Sequence, residues 1–131
     1  MTPDSAANLR WAMVILDFDP TVGHEQAGVR RALVVSANRF HRSGLATVCP
    51  LSARAPRYPG DVLIGRGEAG QTLNAVILCH QVRTVDLRRV SSYEIGGQSQ
   101  VLRDPGVRHE VRAALAHHLG LDVRAELDGA A

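Results

Sequence analysis

Between Thr21 and Val29 the chain reads TVGHEQAGV, and this polar stretch holds the densest set of groups able to do chemistry. His24, Glu25 and Gln26 stand between two glycines, and Arg30 and Arg31 follow at once. Cleaving a phosphodiester without a metal needs a group to take a hydroxyl proton and another to protonate the leaving oxygen. It also needs a cation for the charge that builds on the phosphate. His, Glu and Arg suit those roles. A solvated loop with satisfied charges accounts for the same residues, so residue types alone leave both readings open.

Other candidates are sparser. Ser52 follows Pro50, with Arg54 and Arg57 just beyond, which reads either as a strand end entering a basic loop or as a hydroxyl with two phosphate contacts. No GxSxG is present to make that serine a hydrolase nucleophile. Arg83, Arg88 and Arg89 bracket Asp86, the pattern of an exposed strand edge guarded by charge. His117 and His118 sit near the end of a helical stretch, as surface or partner-contact histidines do. The aromatics Trp11, Phe18, Phe40, Tyr58 and Tyr93 are too scattered to form an evident base-stacking platform. Cys49 and Cys79 lie in apolar runs without CxxC spacing, which predicts reduced core thiols. HxH and HExxH are absent, so no metal site and no cofactor is expected.

The elements that must position these groups follow from pattern. Trp11–Phe18 is an apolar run stopped by Asp19-Pro20, Arg30–Ser36 a second strand, and Leu45–Ser52 a third, with Pro50 putting the end of that strand at an edge or a bulge. Asn38–Gly44 reads as a turn or helical stub, Asp61–Ile64 as a short strand, and residues 75–87 as one long strand or two short ones. Gln98–Leu102 adds a weak final strand. Asp104-Pro105 is an N-cap followed by proline at the first helical position; Val107, Val111, Leu115 and Leu119 recur every four residues, and Gly120 supplies the stop. The expected architecture is one domain, mainly β: a small antiparallel β-barrel with a C-terminal helix packed on it. Its core spans about residues 10–121, and both chain ends are expected to be loose.

At 131 residues, 45% hydrophobic and 21% charged, the chain has the composition of a globular domain, not of a disordered segment. No apolar run approaches the roughly 20 residues of a membrane helix and no signal-peptide core opens the chain, so a cytoplasmic protein without membrane contact is expected. The net charge of +2 does not by itself argue for nucleic acid. All 15 basic residues are arginine, whose planar fork matches phosphate and stacks on bases.

Taken in order, the blocks resemble the MazF/PemK (Kid) toxins of toxin–antitoxin systems. The blocks are Asp17–Gly28 (DFDPTVGHEQAG), Arg30 with Ala32–Ser36 (ALVVS), Val48–Arg54 (VCPLSAR), Tyr58-Pro59 and Cys79–Asp86 (CHQVRTVD). The resemblance implies the barrel shared by those toxins and the gyrase poison CcdB, a homodimer, a cognate antitoxin, and sequence-selective cleavage of single-stranded RNA. The RNA's own 2′-hydroxyl would attack, with no metal and a cyclic phosphate product. By position Arg30 matches the family's catalytic arginine, Ser52 the usual threonine, and His24 with Glu25 the loop's polar pair. Gln26, Arg54, Arg57, Gln81 and Arg83 would then bind RNA.

Several positions depart from the family pattern. Arg10-Trp11-Ala12 replaces the usual Arg-Gly-Asp/Glu, Arg31 replaces a proline, and Tyr58-Pro59-Gly60 replaces Tyr-Pro-Phe. The common Cys-Asp-Gln reads Cys79-His80-Gln81 here. In some PemK-type members that Asp and an Arg two residues earlier do acid–base work; here the pair is Leu78 and His80. The arginine's role does not carry over to Leu78, whereas His80 retains the means to move a proton. Two other functions fit the same barrel: a non-catalytic topoisomerase-binding toxin, and an inactive RNA-binding paralogue.

Overall fold

The computed structural model describes residues 8–121; the expectation of loose ends concerns residues 1–7 and 122–131, outside that range. The elements in order are β1 (Ala12–Asp17), β2 (Val29–Val34), β3 (Leu45–Ser52), β4 (Asp61–Ile64), β5 (Ala75–Leu78), β6 (Arg83–Asp86), β7 (Val90–Ser92), β8 (Gln100–Val101) and α1 (Pro105–His118). All strand pairs are antiparallel, in the order β4-β5-β3-β2-β1-β7, with β6 added to β3 and β8 to β1. The mainly-β fold with a C-terminal helix is as expected, but the sheet does not close. β4 and β7, the ends of that order, are not paired with each other, so the barrel is open.

The near-continuous apolar runs of β1–β3 have a simple cause: these strands are covered on both faces. Met13, Leu33, Cys49 and Leu51 pack with β4, β5 and the helix residue Val111, while Val14, Leu16, Ala32, Val34, Ala46 and Val48 form a second layer with Phe18 and Val85. Neighbours along a strand point to opposite faces, so each face receives its own apolar set. Both cysteines are free and buried. Hydrogen bonding to Cys79, with burial, pushes the Cys49 thiol far above its ordinary range, which keeps it protonated.

β3 changes partner midway, and this corrects the reading of Pro50. Leu45–Val48 pair with β6 and Leu51–Ser52 with β5, while Pro50 faces Ala32 of β2. Pro50 is therefore buried inside the strand, at the gap between two ladders, where a missing N–H costs no ladder bond. The gap is made by a 3-10 turn, Cys79–Gln81, that splits the 75–87 run into β5 and β6. A second 3-10 turn, Leu87–Arg89, is capped by Asp86 and leads into β7, which has no counterpart in the sequence reading.

The helix is built as its sequence dictates. The Asp104 carboxylate accepts from the amides of Gly106 (2.8 Å) and Val107 (3.4 Å). At the other end Leu121 N donates to Ala116 O (2.7 Å) and Gly120 N to His117 O (3.2 Å), with Gly120 left-handed at φ 68°. That pair of bonds is a Schellman stop. Val107, Val111, Ala114 and Leu115 face the core, and the helix packs on β4 and on the 79–81 turn. Trp11 anchors it from the sheet side, with Arg108 and Arg112 of the helix each 5.4 Å from the ring. Among the described residues no helix is long and apolar enough to cross a membrane.

Candidate active site

The 17–28 loop is held by its own carboxylates. Asp17 accepts from Asp19 N (3.0 Å), Asp19 from Gly28 N (3.2 Å), and Glu25 from Val22 N (2.7 Å). Phe18 N donates to Gly28 O (2.9 Å), closing the loop at its neck. Arginines distant in sequence clamp it: Arg83 donates to Phe18 O (3.0 Å), and Arg89 to the carbonyls of Asp17 and Asp19. Of the arginines bracketing Asp86, only Arg88 pairs with it, on the surface. The loop is thereby presented beside the 79–81 turn, and Gln26 N donates to Gln81 Oε1 (2.6 Å).

Opposite the loop stands the 54–60 segment, organised by Asp61. The Asp61 side chain is fully buried and receives a two-pronged contact from Arg54, Nη1–Oδ2 2.6 Å and Nη2–Oδ1 3.0 Å. The amides of Arg57 (2.7 Å) and Tyr58 (2.9 Å) donate to the same carboxylate. Burial alone would push this carboxyl up; the Arg54 fork and the two amides overcome it and hold the carboxyl down at about 2. Tyr58 remains 51% exposed, with the Arg54 and Arg57 guanidiniums 5.1 and 5.9 Å from its ring.

Between the two segments runs a groove of about 900 Å³, and it collects His24, Glu25, Gln26, Arg54, Arg57, His80, Gln81 and Arg83. Arg30 and Ser52 are not among its lining residues. They share a neighbouring concavity of about 270 Å³ with Arg31 and Gln71. The register explains why those two meet: Ala32 pairs with Pro50, so Arg30 and Ser52, two residues further out on each strand, lie across from one another. Gln26 links the two hollows: its carboxamide lies against the guanidinium of Arg30, whose Nε donates to Ala27 O (2.7 Å).

Sequence reasoning missed Asp61, because a carboxylate opening a short strand looks solvated until its burial is known. It also undervalued Tyr58, His117 and His118, all of which line the groove. Among the described residues no three His, Cys, Asp or Glu are grouped as a metal site requires.

Residues 9–119 match the family of PemK-like, MazF-like toxins of type II toxin–antitoxin systems. The chain belongs to that family. Among curated relatives of this MazF-like chain, the endoribonuclease toxin ChpB of Escherichia coli K12 is 37% identical over 90 residues, 66% of this chain and 77% of the relative. The endoribonuclease toxin MazF of the same strain is 34% identical over 77 residues, 58% and 66% of the two chains. Among solved structures, MazF from Deinococcus radiodurans superposes with a TM-score of 0.70 at 32% identity, over 85% of this chain and 94% of that one. A MazE–MazF structure from the same organism gives 0.63 at 32% identity, over 86% and 95%.

Proposed function

We propose that this MazF-like toxin is a metal-independent endoribonuclease for single-stranded RNA, acting in the cytoplasm as a homodimer and silenced by a cognate antitoxin that occupies the same groove. One observation carries the reading: segments 24–26, 54–60 and 80–83, far apart in sequence, converge on one arginine-lined groove that also holds imidazoles. The names of the relatives, endoribonucleases among them, and a neighbour solved as a MazE–MazF structure support it.

The chemistry is an in-line transesterification. The RNA 2′-oxygen attacks the adjacent phosphorus and the P–O2′ bond forms as the P–O5′ bond breaks. The 2′ proton goes to a base and the 5′ oxygen takes one from an acid, leaving a 2′,3′-cyclic phosphate and a 5′-hydroxyl. His24 and His80 are the proton carriers in this reading, while Glu25 holds the loop turn that presents His24. Arg30 and Ser52, reached across Gln26, meet the charge on the phosphate. Gln26, Arg54, Arg57, Gln81 and Arg83 bind the strand, and the exposed Tyr58 ring offers a face on which an unpaired base stacks.

Purified protein incubated with a long single-stranded RNA, and separately with supercoiled DNA and a topoisomerase, tests this directly. Cut RNA and intact DNA are expected. Broken DNA with intact RNA would make the chain a topoisomerase-binding toxin, and RNA bound but uncut would make it an inactive RNA binder.

A further inference from the structure

His80 Nδ1 is buried and has no hydrogen-bond partner, yet it lies 3.7 Å from Asp61 Oδ1. The rest of the ring, 28% exposed as a side chain, borders the groove. Tyr58 meets it edge-on, ring centroids 5.6 Å apart. Gly60 lets residue 80 come this close: a Cβ on Gly60 would stand 2.7 Å from His80 Cβ and 2.8 Å from its backbone N, and 2.9 Å from Nδ1 of the imidazole itself. Glycine at 60 and histidine at 80, two of the departures from the family pattern, are thus in contact and mutually compatible.

We propose that Asp61 is a positioning residue for His80, forming a carboxylate–imidazole dyad that aims Nε2 into the groove. A small closing movement brings the pair into the ~2.7–3.2 Å range of N–H···O bonds. Nδ1–H then donates to Asp61, which leaves Nε2 as the proton acceptor for the 2′-hydroxyl, while His24 is the donor to the 5′ oxygen on the opposite side of the phosphorus. Arg54 supports the pair: its fork keeps Asp61 ionised, so that the carboxylate is able to accept from Nδ1–H. This inference rests on the reading of His80 as a proton carrier in RNA cleavage.

Other groups border the same space. The 54–60 segment brings Arg54, Arg57 and Tyr58; the 17–28 loop brings His24 and Glu25; β6 brings Arg83 and α1 brings His117 and His118. Arg54, Arg57 and Arg83 oppose a cationic His80, and Asp61 is the buried carboxylate that counters them.

The test compares pH–rate profiles for RNA cleavage by the wild type, Asp61→Asn, His80→Gln and the double variant, with His24→Ala alongside. His80→Gln should lose on the order of a hundredfold and Asp61→Asn on the order of tenfold. In the His80→Gln background Asp61→Asn should then cost almost nothing further. One limb of the profile should move to lower pH in Asp61→Asn and vanish in His80→Gln, while persisting in His24→Ala. An equal Asp61→Asn loss in both backgrounds would make Asp61 a structural partner of Arg54 and overturn the proposal. Unchanged cleavage by His80→Gln would defeat the proton-carrier reading itself, and the positioning role with it. Should Asp61→Asn fail to fold, ¹⁵N imidazole spectra of the wild type decide the matter: Nδ1–H protonation is expected, and an Nε2–H tautomer at His80 overturns the dyad.

Discussion

Arg30 is the residue on which the proposed chemistry of the second concavity depends, since its guanidinium donates to Ala27 O, lies against the Gln26 carboxamide and opposes Ser52 across the β2–β3 register. Removing a preorganised cation from a charged transition state costs on the order of a hundredfold or more. Arg30→Ala should therefore lose cleavage while its circular dichroism and thermal midpoint stay close to wild type; a folded variant that cuts at the wild-type rate would remove Arg30 from the site. Asp61 makes a separate prediction, about stability. Its folded carboxyl sits at about 2, below the ~3.9 of an unfolded aspartate. The stabilisation is thus complete above the unfolded value and lost as pH falls through about 2. It amounts to about 2 kcal/mol. Denaturant titrations of wild type and Asp61→Asn should differ most at neutral pH and converge only below pH ~2; a constant gap would contradict this assignment.

At the scale of elements, legibility followed locality. The helix was readable from both ends because Asp104, Pro105 and Gly120 act within a turn of themselves. β3 and β4 were readable because their apolar residues stand between polar neighbours. The turn at Cys79–Gln81 was not, since the apolar run of β5 passes into it without a break and only the switch of β3 partners requires it. β7 is three residues of VSS and carries almost no pattern. The groove was legible through His24, Glu25, Gln26, His80 and Gln81, whereas Asp61 became visible only through its burial. Trp11 offers a test at this scale. It adopts φ 70°, a left-handed conformation, at a position where the family pattern has glycine. That conformation costs a side-chain-bearing residue about 1–2 kcal/mol. Its ring is nevertheless 5% exposed beneath Arg108 and Arg112, and losing a buried aromatic costs roughly 3–5 kcal/mol. Packing wins, so Trp11→Gly should lower stability by a net ~2 kcal/mol despite the relieved backbone, as chemical denaturation would show. A more stable Trp11→Gly would mean that strain dominates.

At the scale of the molecule, the groove's arginine lining predicts that RNA and antitoxin compete. An acidic peptide from the antitoxin should displace a short RNA, and both affinities should fall as salt rises; simultaneous binding of both would put the antitoxin elsewhere. The central claim, however, is chemical: this toxin cuts RNA with the RNA's own 2′-hydroxyl and no metal. The most direct measurement is cleavage of a long RNA by purified protein in excess chelator, with both product ends identified. Undiminished cleavage leaving 2′,3′-cyclic phosphate and 5′-hydroxyl ends is the predicted result. Cleavage abolished by chelator, or products bearing 5′-phosphates, would contradict it.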